Sequence, residues 1–267
     1  MGVVIDMKLF LVLTLFIHSF MALSETDRSR YEILPTDPTT STITEDLFYT
    51  VINRVESLYN SEFASKGILV DFNASWETSY FSAWAHDDNP PLYSLNFWGG
   101  IARIPGVNEY GWAFIACHEV GHLLGGEPMN SLELYAWGSA EGQSDYFAGA
   151  HCLKRYFDSF PYSGNEVKLA PSIEKECEQN QYCLNSAKAA ESFTHVIKYL
   201  YRDTPALSLE TPSLERPESS ILRSYPDAQC RIDTIFESGK CTNDVSSLEN
   251  WVCEEGLGSR PSCWFKK

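Results

Sequence analysis

Residues 116–126 read ACHEVGHLLGG, where two histidines and a glutamate interrupt an otherwise apolar run. The spacing of apolar residues predicts a helix over 109–124, and its polarity is low on every side. Such a helix lies in a core, and imidazole and carboxylate groups there need partners. His118 and His122 are four residues apart, so they stack on one face, with Glu119 beside them. Any fold this chain adopts must bring something onto that face that satisfies all three. Two imidazoles so placed suit one divalent metal ion, and Glu119 is positioned to act on a water at the metal rather than to ligate. A hydrolytic zinc takes three protein ligands and keeps one position open, so a third ligand is owed.

Its location separates the classes. Gly125 matches the glycine of HExxHxxGxxH, but Pro128 stands where the third histidine would be, and proline has no side-chain donor. That class is excluded. Nineteen residues after His122 begins EGQSDYFAGAHCLKRYF, within a helix predicted over 139–158. Glu141 can supply the carboxylate. Asp145, four residues on along the same face, can orient His118 from behind.

HExxH followed by Glu-x-x-x-Asp resembles the gluzincin metallopeptidases, and Glu141–Phe147 is similar to thermolysin-type sequences. The longer runs GGIARIPGVNEYGWAFIACHEVGHLLGG and WGSAEGQSDYFAGAHCLKRYF resemble a family of exported, mostly uncharacterised bacterial zinc proteases. YPDAQCRI (225–232) is similar to the HP-x4-RI segment of CAAX-prenyl-protease-like peptidases. The likeness spans about residues 95–265. It implies a zincin-like α+β domain: a small N-terminal sheet with an edge strand, then a mostly helical half carrying the site. It further implies zinc on His118, His122 and Glu141, with Glu119 as general base and acid. Tyr225 stands where the related segment has histidine, and a tyrosine hydroxyl can donate to an oxyanion. Arg231 is expected to pin that loop or the Asp145 region. Gluzincins bind the substrate backbone on an edge strand ahead of the metal helix. YSLNFWGGIARI occupies that place here, which singles out Asn96, Gly99, Gly100 and Ala102. The implied activity is that of an exported zinc metalloendopeptidase acting on peptides or proteins. The alternative is a catalytically silent, zinc-stabilised protein that grips peptides or maintains the envelope. An aminopeptidase would need an acidic anchor for the substrate amine, and no anchor motif is legible.

The remaining sequence sets the frame. Lys8 precedes LFLVLTLFIHSFMAL, too short for a membrane span, and small residues follow. Residues 1–24 therefore read as a signal peptide of a periplasmic or secreted protein. Residues 25–43, polar and rich in Thr and Pro, read as a linker or loose arm, and 44–267 as a single domain. Helices are predicted over 44–61, 184–202 and 226–238. Strands are predicted at 68–73, in WETSYFSAW and in YSLNFWGGIARI, with Gly99–Gly100 a bulge or a close backbone approach. Eight cysteines in an exported chain read as disulfides. Eight cysteines allow 105 pairings, so connectivity is not deducible. Proximity suggests 177–183, 230–241 and 253–263. Cys117, beside His118, is open to ligation or reaction but better suits a buried thiol or a disulfide, with Cys152 on the neighbouring helix as the candidate partner. The net charge of −16 argues against nucleic acid or anionic membrane as partner. That acidity leaves calcium sites open, but no calcium loop is legible. His86, His151 and His195 fit no metal pattern, and the chain is expected to be a monomer.

Overall fold

The computed structural model describes residues 32–267, so the expected signal segment and the first part of the arm lie outside the described residues. Thr44 caps α1 (Glu45–Ser65) by accepting from the Leu47 N–H, and Glu45 and Asp46 occupy the first turn, where the helix dipole favours negative charge. Phe48, Val51, Ile52, Val55, Tyr59 and Phe63 recur at helical spacing and are buried. The chain then turns at Gly67, whose φ of +69° is open to glycine without steric cost.

Strands β1 (Leu69–Ser75), β2 (Ala83–Asp87) and β3 (Leu92–Trp98) form a sheet ordered β1-β3-β2. β3 runs parallel to β1 and antiparallel to β2. Two expectations change here. β3 is the central strand, paired along both sides, so its backbone is closed to a peptide; the edges of the sheet are β1 and β2. Asn96 accordingly uses its side chain within the sheet, accepting from Asn73 Nδ2 at 3.2 Å and donating to Ser94 Oγ at 3.1 Å. The strand also stops at Trp98, and Gly99–Ala102 form a single buried helical turn, α2. Gly99, Gly100 and Ala102 therefore pack inside the fold rather than line an edge. The glycine pair does mark a close backbone approach: a Cβ on Gly99 would lie 2.2 Å from Trp76 O, and one on Gly100 2.0 Å from Ser79 O.

The arm, over its described residues, is docked rather than loose. Ile33 and Ile43 are buried, and the Arg103 guanidinium donates to Ile33 O, Trp76 O and Thr78 O. Thr39 and Ser41 donate to Arg103 O and Ala102 O at 2.6 Å each. Its polar residues thus serve backbone acceptors, which composition alone reads as solvent exposure.

α3 (Glu109–Leu124) is capped by Asn108, which accepts from the Tyr110 and Gly111 N–H groups, and it is buried on nearly every side. It packs against α1, against α4 (Glu141–Phe147), against β2 and against α7 (Gln181–Leu200). The predicted 139–158 helix is one continuous run of α4, a π-helical turn (Ala148–Cys152) and α5 (Leu153–Ser159). α6 (Pro171–Glu176) precedes α7, and α8 (Ala228–Ser238) is capped by Asp227. The architecture is α+β, a small sheet beside a mostly helical remainder. No helix among the described residues is long and apolar enough to cross a membrane.

All eight cysteines are paired: Cys117–Cys152 and Cys177–Cys183 as expected, but Cys230–Cys263 and Cys241–Cys253 in place of the neighbouring pairs. The tail folds back over α4, with Tyr146 donating to Gly258 O and the Trp264 ring so close to Gly142 that a Cβ there would lie 2.5 Å from it. That return brings Cys263 to the start of α8, so proximity in sequence misleads.

Candidate metal centre

α3 presents His118, Glu119 and His122 toward the first residue of α4, Glu141. The two helices approach closely at Gly121, where a Cβ would lie 2.9 Å from Ser144 Cα. The loop between them returns onto α3, the Ser139 N–H donating to His122 O at 2.9 Å. His118 Nε2 lies 3.2 Å and His122 Nε2 3.9 Å from Glu141 Oε2. The ligand atoms of His118, His122 and Glu141 all fall within 4.8 Å of one another, so this group could hold a metal ion.

The groups behind the ligands fix their orientation. His122 Nδ1 donates to Ser139 O at 3.0 Å, with Ser144 Oγ also 3.0 Å away, which leaves Nε2 as the ligating nitrogen. His118 Nδ1 lies 2.8 Å from Asp145 Oδ1, off the axis of a straight hydrogen bond. Asp145 is fully buried and also accepts two parallel bonds from Arg231, Nε and Nη2 each at 2.8 Å. The Arg231 guanidinium is stacked between Phe193 and Tyr225, 4.8 Å from each ring centre. Arg231 thus holds Asp145 and lies against the Tyr225 ring.

The electrostatics follow from burial and these contacts. Burial raises Asp145, but Arg231 and His118 outweigh it and hold the carboxyl well below its usual range. Burial lowers His118, yet Asp145 and Glu141 outweigh it and bring it up to about 10. Burial lowers His122 despite Glu141. Burial raises Glu141, but His118 and His122 bring it below its ordinary value. Glu119 behaves oppositely: burial, with Glu141 adding to it, raises it to about 7 against the pull of His118.

The donor set fits a metal on its own terms. Glu119 Oε2 and Glu141 Oε2 are buried without a hydrogen-bond partner, an arrangement costly to a fold unless something else satisfies them. They open into a cleft of about 410 Å³ walled by β2 on one side and by residues 223–225 on the other. Tyr225 has 56 % of its surface exposed, yet its hydroxyl end is raised above the ordinary phenol range, by burial first and by Glu141 second. It remains a donor at neutral pH.

The structure therefore brings His118, Glu119, His122, Glu141, Asp145, Tyr225 and Arg231 together. Asn96, Gly99, Gly100 and Ala102 lie elsewhere. Ser139, Ser144 and β2 are the additions that motif reading missed. Ser144 carried a signal, standing three residues after Glu141 and so on the same helical face. No family model, curated protein or solved structure matches this chain. Fold and site by themselves define an α+β, disulfide-stapled protein with a candidate His–His–Glu metal centre.

Proposed function

We propose that the chain is an exported zinc metalloendopeptidase with a gluzincin-type site in a zincin-like domain. One observation carries this reading: the convergence of His118, His122 and Glu141 beside the buried, unpartnered carboxylate oxygen of Glu119 in an open cleft. Two nitrogens and one carboxylate suit zinc, and three ligands leave a position for chemistry. A zinc ion held there supplies a Lewis acid for the attacking water and the peptide carbonyl.

The chain's own groups do the rest. Glu119 takes the proton of the attacking water as its oxygen bonds to the peptide carbon. It then returns that proton to the amine as the C–N bond breaks. Tyr225 donates to the carbonyl oxygen as it gains charge, held in place by the Arg231 stack. The peptide lies along the open edge of β2, whose residues 83–86 line the cleft, and adds to the sheet as a further strand. Export is supported by the complete pairing of cysteines, which persists in oxidising compartments.

Replacing Glu119 with Gln tests the assignment. Peptide hydrolysis should be abolished while one zinc per chain is retained. A metal-loaded wild-type protein that binds peptides and cleaves none would leave the silent peptide-gripping alternative in its place.

A further inference from the structure

Eight arginines lie among the described residues, and six have acceptors for their guanidinium groups. Arg54, Arg155, Arg231 and Arg260 meet carboxylates, while Arg103 and Arg216 donate to backbone carbonyls. Among the described residues, the side chains of Arg202 and Arg223 have no hydrogen bond or ion pair. Both are exposed, but Arg223 alone of the two lines the same cleft as His118, Glu119 and Glu141.

Its backbone is held while its side chain is left free. The Ser131 N–H donates to Leu222 O at 3.0 Å, and the Ile221 N–H donates to Trp264 O at 2.8 Å, tying the segment to the cleft wall and to the stapled tail. The carboxylates lining the cleft are Glu119 and Glu141, both at its centre, so none competes for the guanidinium at the rim. Arg223 stands two residues from Tyr225 across a bend at residues 223 and 224, so the two are at most about 7 Å apart along the backbone. A bound strand rises about 3.3 Å per residue, which places Arg223 within about two substrate residues of the bond beside Tyr225.

We propose that Arg223 is a specificity residue, selecting peptides that carry a carboxylate within about two residues of the scissile bond. That carboxylate is either an acidic side chain or the peptide's free C-terminus. The proposal rests on reading the cleft as a peptide-binding groove. A planar fork of donors at the rim matches a carboxylate with two parallel bonds, which lysine could not reproduce.

Binding, rather than turnover, tests it. Zinc-loaded Glu119→Gln protein is titrated with fluorescein-labelled peptides by anisotropy. The set carries Glu, Gln or Lys at internal positions, each with a C-terminal acid or amide. Acidic peptides should bind about two- to fivefold more tightly than neutral ones, the range of an exposed ion pair, and the difference should shrink as salt rises. Adding Arg223→Ala should erase the difference, and Arg223→Glu should transfer the preference to Lys. A gain confined to the C-terminal acid assigns the free terminus; a gain from internal Glu assigns the side chain. Equal binding of all peptides, or a preference that survives Arg223→Ala, overturns the proposal and leaves the peptidase reading intact if wild type cleaves. Absence of any peptide binding overturns both.

Discussion

Replacing Asp145 with Asn keeps the shape of the site and removes one charge. Asp145 has no exposed surface, receives two bonds from Arg231 and sits 2.8 Å from His118 Nδ1. An Asn amide can accept at its oxygen, but its NH2 faces a donor at the second position, so one Arg231 bond becomes a repulsion. The Arg231 side chain, 13 % exposed, is then a buried cation without a counter-ion. Breaking a buried pair in this way costs about 3–5 kcal/mol. For a chain of this size that corresponds to a fall of roughly 6–20 °C in Tm. Asp145→Asn with Arg231→Met removes the stranded cation and should recover part of the loss. Denaturant unfolding of oxidised, metal-free protein, followed by tryptophan fluorescence, reads the stability. Zinc affinity, measured by competition with a chelator, should fall about 10- to 100-fold, as for other partners of metal-bound histidine. A single variant within about 1 kcal/mol of wild type, with zinc affinity unchanged, would refute the role given to Asp145.

Three further outcomes follow from the same geometry. Gly121→Ala drives a Cβ toward Ser144 Cα and should weaken zinc binding about tenfold by separating the ligand helices, read by calorimetry; unchanged affinity would exclude that contact as a determinant. Tyr225→Phe keeps the ring on Arg231 and removes the donor, so kcat should fall about 100-fold with zinc retained, whereas an unchanged kcat would remove Tyr225 from the chemistry. His151 is buried between Tyr59 Oη at 2.8 Å and Ser247 O at 3.0 Å, and burial lowers its pKa from 6.5 to about 4. Because the folded pKa is depressed, its contribution is complete above pH 6.5 and lost as pH falls through about 4, about 3 kcal/mol in all. Stability measured across that window should drop in wild type and flatten in His151→Gln.

Local periodicity carried the helices and the candidate metal ligands. α3 begins and ends where its apolar run predicted, and four-residue spacing placed both His118 with His122 and Glu141 with Asp145 on shared faces. What the sequence concealed was non-local. YSLNFWGGIARI reads as one strand, yet the backbone of residues 76–79 lies against its glycines and turns the chain at Trp98. Which strand is central depends on pairing order, which alternation does not encode, so β3 is paired on both sides and the edge beside the cleft is that of β2. The π-helical turn at Ala148–Cys152 leaves the apolar pattern nearly unchanged, and the two tail disulfides depend on where Trp264 seats.

The Cys117–Cys152 bond joins the residue immediately before His118 to the helical run that begins with Glu141. The candidate cradle is therefore joined covalently without recourse to an ion, unlike small domains that collapse only around their metal. Stripping with a chelator should leave a folded, reloadable vessel, and the ion's binding energy is not consumed in ordering the chain that receives it.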